Sequence, residues 1–257
     1  MPDAETILQT EPAQGPAAVL IRKRPKPGER RVQILQALAS MLEQPGAERI
    51  TTAALAARLH VSEAALYRHF ASKAQMFEGL IEFIEQSVFS LVNQIAEREG
   101  VAAGSPELSA AGAASTLDGV SGANGVNSVN GVSGVIGTGA VESVSGIRHA
   151  GKVATMLIQF AEKNPGMTRV MVGDALVFEN ERLQQRMNQF FDKIESIFRQ
   201  NLRGVAQTNG SATPSVDAQV SASVLTAFVV GRLQRFARSG FKRLPSEHLE
   251  ASLAQML

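Results

Sequence analysis

Three hydrogen-bonding side chains in succession, Tyr67, Arg68 and His69, stand between apolar anchors in the segment VSEAALYRHFASK. A phenol, a guanidinium and an imidazole can each donate a hydrogen bond to a phosphate oxygen. A helix built only to be buried would not carry three such groups in a row. The segment therefore indicates a short helix, anchored at both ends, that presents a polar surface to a partner such as nucleic acid.

Local signals on both sides predict a helix-turn-helix that would present these side chains. Ser62 is suited to cap a short helix, Glu63 to occupy its first turn, and the small Ala64 to permit close approach to a groove. Thr51 and Thr52 can cap the preceding short helix. Two short helices joined by a turn of three or four residues form the pattern of a helix-turn-helix.

The second helix of such a unit enters the major groove of DNA, with its N-terminal residues nearest the base edges. Glu63 can accept a hydrogen bond from a cytosine amino group. The side chains of Tyr67, His69 and Lys73 are suited to phosphate oxygens. The residues predicted to contact DNA in this unit are Thr51, Thr52, Ser62, Glu63, Ala64, Tyr67, Arg68, His69 and Lys73. A second interpretation, in which Tyr67 and His69 pack at the junction with the next helix, stays open at this point.

A basic segment precedes this unit. The stretch RKRPKPGERR, residues 22–31, holds six basic side chains and one acidic one, and its prolines and glycine disfavour a helix over most of it. We predict that residues 1–28 form a disordered arm whose basic end, including Arg22 and Arg24, neutralises DNA phosphates. Charge alone would favour a solvated tail, and only the helix-turn-helix downstream favours DNA.

The apolar pattern predicts an all-α fold in two parts. Apolar residues recur at three- and four-residue steps from Glu29, which predicts a helix-turn-helix domain over 29–73 and a long connecting helix over 74–99. Helical periodicity resumes at Lys152, inside a C-terminal domain predicted over 148–257. No segment reads convincingly as a β-strand.

A low-complexity stretch separates these parts. Residues 100–147 are rich in glycine, serine, asparagine and valine, with repeated NGV and VSG units and very little charge. A loop of this length inside a compact domain is usually a disordered insert, and we predict one here.

Composition excludes several classes of chemistry. The chain has no cysteine, which excludes disulfides, thiolate metal sites and a cysteine nucleophile. Its four histidines are scattered, and neither an HExxH metal motif nor a GxxxxGK phosphate loop is present. We therefore expect no enzymatic activity, no cofactor and no metal. No apolar run approaches the roughly 20 residues of a membrane span, and the N-terminus lacks the pattern of a secretory signal, so we expect a cytoplasmic protein.

The segment ITTAALAARLHVSEAALYRHFASKAQMF resembles the N-terminal domain of TetR-type DNA-binding proteins. The shared features are a threonine before the second helix and the positions Leu55, Ala56, Val61, Ser62, Leu66, Tyr67, His69, Phe70, Ser72, Lys73 and Phe77. The sequence departs from the family at His60, where glycine is usual. Because this position closes the second helix, we expect His60 to have a positive φ, which histidine tolerates better than most residues.

A narrower resemblance covers residues 30–93 and 152–203. These blocks, above all EKNPGMTRVMVGDALVFENERLQQRMNQFFDKIE, are similar to the nucleoid occlusion factors of the SlmA group. The resemblance implies a nucleoid-associated homodimer that binds palindromic chromosomal sites and the cell-division GTPase FtsZ, and that prevents FtsZ polymers from assembling over the nucleoid. The helices over 181–203 and 217–238 have continuous apolar stripes and are the best candidates for the dimer interface.

The resemblance also places an FtsZ-facing surface on the fourth helix and on the helix that ends at Asn164. The positions that match the group or replace it conservatively are Phe83, Met156, Lys163 and Asn164. Leu91 stands where the group is expected to have an arginine, and Gln159 where it is expected to have a glycine. From the residues alone, Met156 and Phe83 also fit packing in the core.

Two other functions fit a TetR-type fold. A ligand-responsive transcriptional repressor would need a pocket among the C-terminal helices, lined by Phe160, Met171, Phe178 and Met187, although core packing explains the same residues. An architectural nucleoid protein would bind DNA without a division partner. The helix-turn-helix fits all three functions, so the choice rests on the C-terminal resemblance.

Overall fold

A computed structural model of the protein describes residues 28–44, 50–103, 135–177 and 179–257. Within these ranges the chain forms nine α-helices, one 3₁₀ turn at Asp174–Leu176 and no β-strand, which confirms the all-α prediction. The helices are α1 (Glu29–Leu42), α2 (Thr52–Arg58), α3 (Glu63–Tyr67), α4 (Lys73–Ala103), α5 (Val135–Lys163), α6 (Pro165–Met171), α7 (Glu181–Thr208), α8 (Pro214–Arg238) and α9 (Leu249–Met256).

Three hydroxyl caps set the helix starts in the N-terminal domain. The side-chain oxygens of Thr51, Ser62 and Ser72 each accept a hydrogen bond from the backbone N–H three residues further on, at 3.2, 3.3 and 3.2 Å. Each bond satisfies one of the N–H groups that a helix start leaves without an intrahelical partner. Thr51 is the cap of α2, as predicted, whereas Thr52 is the first residue of that helix and not a cap.

One apolar core holds α1–α4 together. The buried side chains that define it are Ile34, Leu35, Leu38, Leu42, Leu55, Ala56, Leu66, Phe70, Met76 and Phe77. Val32, in the first turn of α1, is 41% exposed, because the buried face of the helix runs through Ile34 and Leu38. Leu66 and Phe70 anchor the chain around the end of α3, while the residues between them stay at the surface.

The helix α6 joins the N-terminal domain to the rest of the molecule. A Cβ atom built on Gly166 would lie 1.9 Å from the carbonyl oxygen of Ala39 in α1, closer than real side chains come. The glycine therefore lets α6 contact the backbone of α1 directly. The buried Thr168 donates to the carbonyl oxygen of Ala161 at 2.8 Å, which holds the end of α5 against α6.

The helix α5 starts earlier than the sequence predicts. It begins at Val135 and not near Lys152, so the prediction of a disordered insert over 100–147 is wrong for its last part. The helix α4 likewise continues to Ala103. The insert residues 104–134 lie outside the described residues.

Gly146 gives the physical reason for this difference. A glycine costs about 1 kcal/mol of helix propensity relative to alanine, which is why a run of glycines resembles a linker. Here a Cβ on Gly146 would lie 2.3 Å from the carbonyl oxygen of Asn201 in α7. The absence of a side chain lets the two helices pack closely, and this packing outweighs the propensity of the isolated segment.

The helix α4 is also tied to the C-terminal domain. Arg186 in α7 forms an ion pair with Glu85 in α4 at 2.7 Å, and the ring centroids of Phe89 and Phe190 are 5.6 Å apart. The hydrogen bond to Glu85 raises the pKa of the Arg186 guanidinium above its ordinary value, as expected where a carboxylate stabilises the charged form. Both domains therefore hold the same long helix.

The helix α8 has two contrasting faces. By length and composition it is the one helix in the described ranges that is apolar enough to cross a membrane, although no apolar run in the sequence predicted a span. The side chains that it buries in the domain core include Ala218, Ala222, Leu225, Val229 and Leu233. Val216, Val220 and Val224 project from the opposite face at 59, 58 and 52% exposure. This helix is thus packed on one side and presents an apolar stripe on the other.

Candidate nucleic-acid interface

The helix α3 is five residues long and its polar side chains face outward. It ends at Tyr67, Arg68 is its C-terminal cap, and His69 lies in the turn before α4. The predicted short helix, which carries all three side chains, therefore ends earlier in the structure. Tyr67 is 45% exposed, and Arg68 and His69 are exposed as well. This exposure disfavours the interpretation that these residues pack at the junction with α4.

The start of α2 and the exposed side of α3 lie together. The predicted contact residues that are exposed here are Thr51, Ser62, Glu63, Ala64, Tyr67, Arg68 and His69. Thr52 is half-buried beside them. Arg22 and Arg24 lie outside the described residues, so contact between the arm and DNA stays a prediction.

Hydrogen bonds cross the turn between α2 and α3. The Thr52 hydroxyl donates to Glu63 Oε2 at 2.6 Å, and the Tyr67 hydroxyl donates to Thr52 Oγ1 at a longer 3.5 Å. From the sequence, Thr52, Glu63 and Tyr67 were predicted only as separate DNA contacts. Their hydrogen bonds to one another were not predicted, because the partners are 11 and 15 positions apart and meet only once the turn has formed. The three side chains therefore orient one another.

Lys73, predicted to contact phosphate, forms an ion pair with the C-terminal domain. Its ammonium lies 2.5 Å from Glu179 Oε1, and the two side chains are 33% and 12% exposed. Glu179 lies just before α7, so the contact joins the start of α4 to the other domain. No local pattern reveals this pair, since its members are 106 positions apart. A DNA phosphate would have to compete with Glu179 for the ammonium.

Arg31 supports the turn behind α3. Its guanidinium lies 4.4 Å from the centroid of the Phe70 ring and donates to the carbonyl oxygen of His69 at 3.4 Å. A Cβ on Gly79 in α4 would lie 2.9 Å from the same ring, so this glycine makes room for Phe70. The sequence shows Arg31 only as part of the basic segment, and its role at the turn depends on partners roughly 40 positions away.

His60 closes α2 with a φ of 53°, as expected. Its backbone N–H donates to the carbonyl oxygen of Ala57 at 3.1 Å, and the N–H of Val61 donates to that of Ala56 at 3.0 Å. These bonds satisfy carbonyl groups at the end of the helix, so a non-glycine residue completes the turn.

A second candidate surface is a groove of about 550 Å³ between α4, α5 and α9. The residues that line it include Leu91, Ile95, Arg98, Arg148, Met156, Gln159 and Leu253. Met156, a predicted partner residue, therefore lines the same groove as Leu91 and Gln159, the two positions where the resemblance leads us to expect other residues.

The other predicted partner residues lie outside the lining of this groove. Phe83 is half-buried against the core, and Lys163 is exposed at the end of α5. The Asn164 side-chain amide donates to the carbonyl oxygen of Phe160 at 2.7 Å, so it closes the end of α5. The structure does not bring these three residues together with Met156 in one cavity.

Comparison with known proteins decides the family. Residues 34–80 match the family model of bacterial regulatory proteins of the tetR family, and residues 146–257 match the SlmA-like model of a tetracyclin repressor-like C-terminal domain. The nucleoid occlusion factor SlmA of Aliivibrio fischeri is 44% identical over 225 residues, which cover 87% of this chain and 92% of the relative. The chain belongs to the SlmA family of nucleoid occlusion factors.

Solved structures agree on the fold. The fatty acid degradation regulator FadR from Bacillus halodurans has a TM-score of 0.59 at 11% identity, with 90% of this chain and 96% of that chain covered. A TetR-family transcriptional regulator from Mesorhizobium loti has a TM-score of 0.53 at 13% identity, with 91% and 98% covered. At these identities the likeness shows the fold alone, and it confirms the TetR-like prediction.

Membership of the SlmA family favours nucleoid occlusion over the ligand-responsive repressor. Met171 and Met187, proposed for a ligand pocket, are buried in the core, and Phe160 packs against it. Phe178 lies outside the described residues. Within the described ranges no group of three acidic or histidine side chains is arranged to hold a metal ion.

Proposed function

We propose that this protein is a DNA-activated inhibitor of cell division. It binds palindromic chromosomal sites as a homodimer and, when bound, prevents FtsZ polymers from assembling over the nucleoid. It works in the cytoplasm on the nucleoid and has no enzymatic activity. The observation that carries the proposal is the similarity to SlmA across both the DNA-binding and the C-terminal domains.

The DNA-reading role is supported by the exposed face of α3. Glu63 and Ala64 lie at its N-terminus, which is the part of a recognition helix nearest the base edges. Tyr67, Arg68 and His69 follow at the other end, where they suit contact with the phosphate backbone.

The homodimer is supported by the apolar stripe of α8. Val216, Val220 and Val224 are more than half exposed along one face of a helix whose other face is buried. Contiguous exposed apolar side chains of this kind mark interaction sites. A second copy of the same stripe would cover them.

FtsZ binding is supported by the groove between α4, α5 and α9. Leu91, Ile95 and Met156 give it apolar walls. Its charged lining residues are mostly basic: Arg98, Arg148 and Lys152 against the acidic Glu250. This combination suits a peptide that carries both apolar and acidic side chains. Lys163 lies two turns beyond Met156 on the same side of α5, about 10 Å away, so we assign it to the same contact surface. We assign Asn164 and Phe83 to this surface from the resemblance to the SlmA group.

Sedimentation of FtsZ polymers tests the proposal. We expect the protein to reduce the pelleted polymer only when a palindromic duplex is present. Met156→Glu should abolish this effect without changing DNA affinity, whereas Leu244→Glu, at a 52% exposed site outside the groove lining, should leave it intact. No DNA-dependent loss of polymer, together with release of DNA by a small metabolite, would favour the repressor function instead.

A further inference from the structure

Thr52 occupies the point where α2 and α3 meet. Its hydroxyl has one proton, and it donates that proton in a hydrogen bond to Glu63 Oε2, with the two oxygens 2.6 Å apart. A threonine that donates to a carboxylate cannot also donate to a DNA phosphate. A contact between the Thr52 hydroxyl and a DNA phosphate is therefore at odds with the bond that the hydroxyl makes.

The same bond changes what Glu63 can do. Glu63 is exposed, and an exposed glutamate samples many rotamers. Repulsion from phosphates would also favour rotamers that turn the carboxylate away from DNA. With Oε2 held by Thr52, the carboxylate keeps one position beside the N-terminus of α3, and Oε1 keeps its capacity to accept a further hydrogen bond.

We propose that Thr52 is a positioning residue for base readout. Its hydroxyl holds the Glu63 carboxylate so that Oε1 accepts a hydrogen bond from a cytosine amino group at one position of the DNA site. Tyr67, whose hydroxyl donates to Thr52 Oγ1, supports the same arrangement from the end of α3. This inference rests on the proposed DNA-reading function and adds to it the residue that orients the base contact.

Selection of binding sites from a randomised duplex pool, followed by titrations, tests the role of Thr52. The quantity measured is the preference ratio, which is the Kd for the site with the contacted C·G pair replaced by T·A divided by the Kd for the selected site. Thr52→Val keeps the shape of the side chain and removes its donor, so it should lower this ratio by roughly three- to tenfold. Thr52→Ser keeps the donor and should restore the preference. Glu63→Gln should change the preferred base.

The outcomes separate the inference from the function on which it rests. If Thr52→Val weakened binding to every duplex by the same factor, Thr52 would be a backbone contact. The inference would then be overturned, but the DNA-reading function would stand. The inference would also be overturned if Glu63→Gln changed the base preference and Thr52→Val did not. If neither variant changes base preference, the assignment of α3 to the groove fails as well. Circular dichroism checks that each variant is folded, and Thr52→Ala provides a second donor-free variant if Thr52→Val unfolds.

Discussion

Replacing Glu179 with glutamine should make Lys73 available to DNA. The Lys73 ammonium lies 2.5 Å from Glu179 Oε1 at the first residue of α4, where a helix N-terminus also attracts anions. A phosphate that contacts Lys73 must displace this carboxylate and tolerate its negative charge. Glu179→Gln removes the charge and keeps the length and shape of the side chain.

The size of the effect follows from the exposure of the pair. With side chains 33% and 12% exposed, the pair resembles a surface ion pair more than a buried one, and it contributes roughly 0.5–1 kcal/mol. Releasing Lys73 should therefore tighten DNA binding about two- to fivefold at low salt. Each phosphate newly neutralised should add about 0.9 to the magnitude of the slope of log K against log salt.

Fluorescence-anisotropy titrations of one palindromic duplex at several salt concentrations measure both quantities. In the wild-type background, Lys73→Met should change the slope little. In the Glu179→Gln background, it should reduce the magnitude of the slope by about 0.9 per protomer. Thermal unfolding controls for loss of the contact between the domains. An equal decrease in both backgrounds would mean that Lys73 reaches phosphate with Glu179 in place, and the competition would be refuted.

Three further sets of substitutions test packing, turn geometry and assembly. Gly166→Ala should lower the free energy of unfolding by about 1–3 kcal/mol, since its Cβ would meet an α1 carbonyl oxygen, whereas Gly204→Ala in open space should raise it by roughly 0.5–1 kcal/mol; urea unfolding measures both. His60→Gly should relieve a φ of 53° and add up to about 1 kcal/mol of stability, and a lower melting temperature would contradict this. Val220→Glu should convert a dimer into a monomer in light scattering, while Val144→Glu, at a similarly exposed valine of α5, should not; loss of the dimer in both would argue against an α8 interface.

Most of the DNA-reading unit could be predicted because its signals are local. Thr51, Ser62 and Ser72 cap their helices through N–H groups three positions further on, and His60 stands where the chain must adopt a positive φ. Features of this kind depend on residues within about one helical turn. Residue type and spacing are then sufficient to locate them.

The contacts that sequence reasoning missed join residues that are distant in the chain. Glu179 pairs with Lys73 across 106 positions, and Thr52 meets Glu63 only after the turn between their helices has formed. The early start of α5 was missed for the same reason. Gly146 favours this helix only through its close packing against the backbone of α7, which is more than 50 positions away. Such pairings follow from tertiary packing, which propensity and periodicity do not encode.

A single helix, α4, carries both candidate surfaces. Lys73 begins it beside the DNA-reading unit, and Leu91 lines the groove about 27 Å further along, at 1.5 Å per residue. Between them the helix is buried against both domains and is tied to α7 by the ion pair of Glu85 and Arg186. An uninterrupted helix held in this way can move only as a rigid unit, and its close packing against both domains opposes such movement. We therefore expect DNA to activate the protein chiefly by gathering and spacing dimers, with the groove already formed in each protomer.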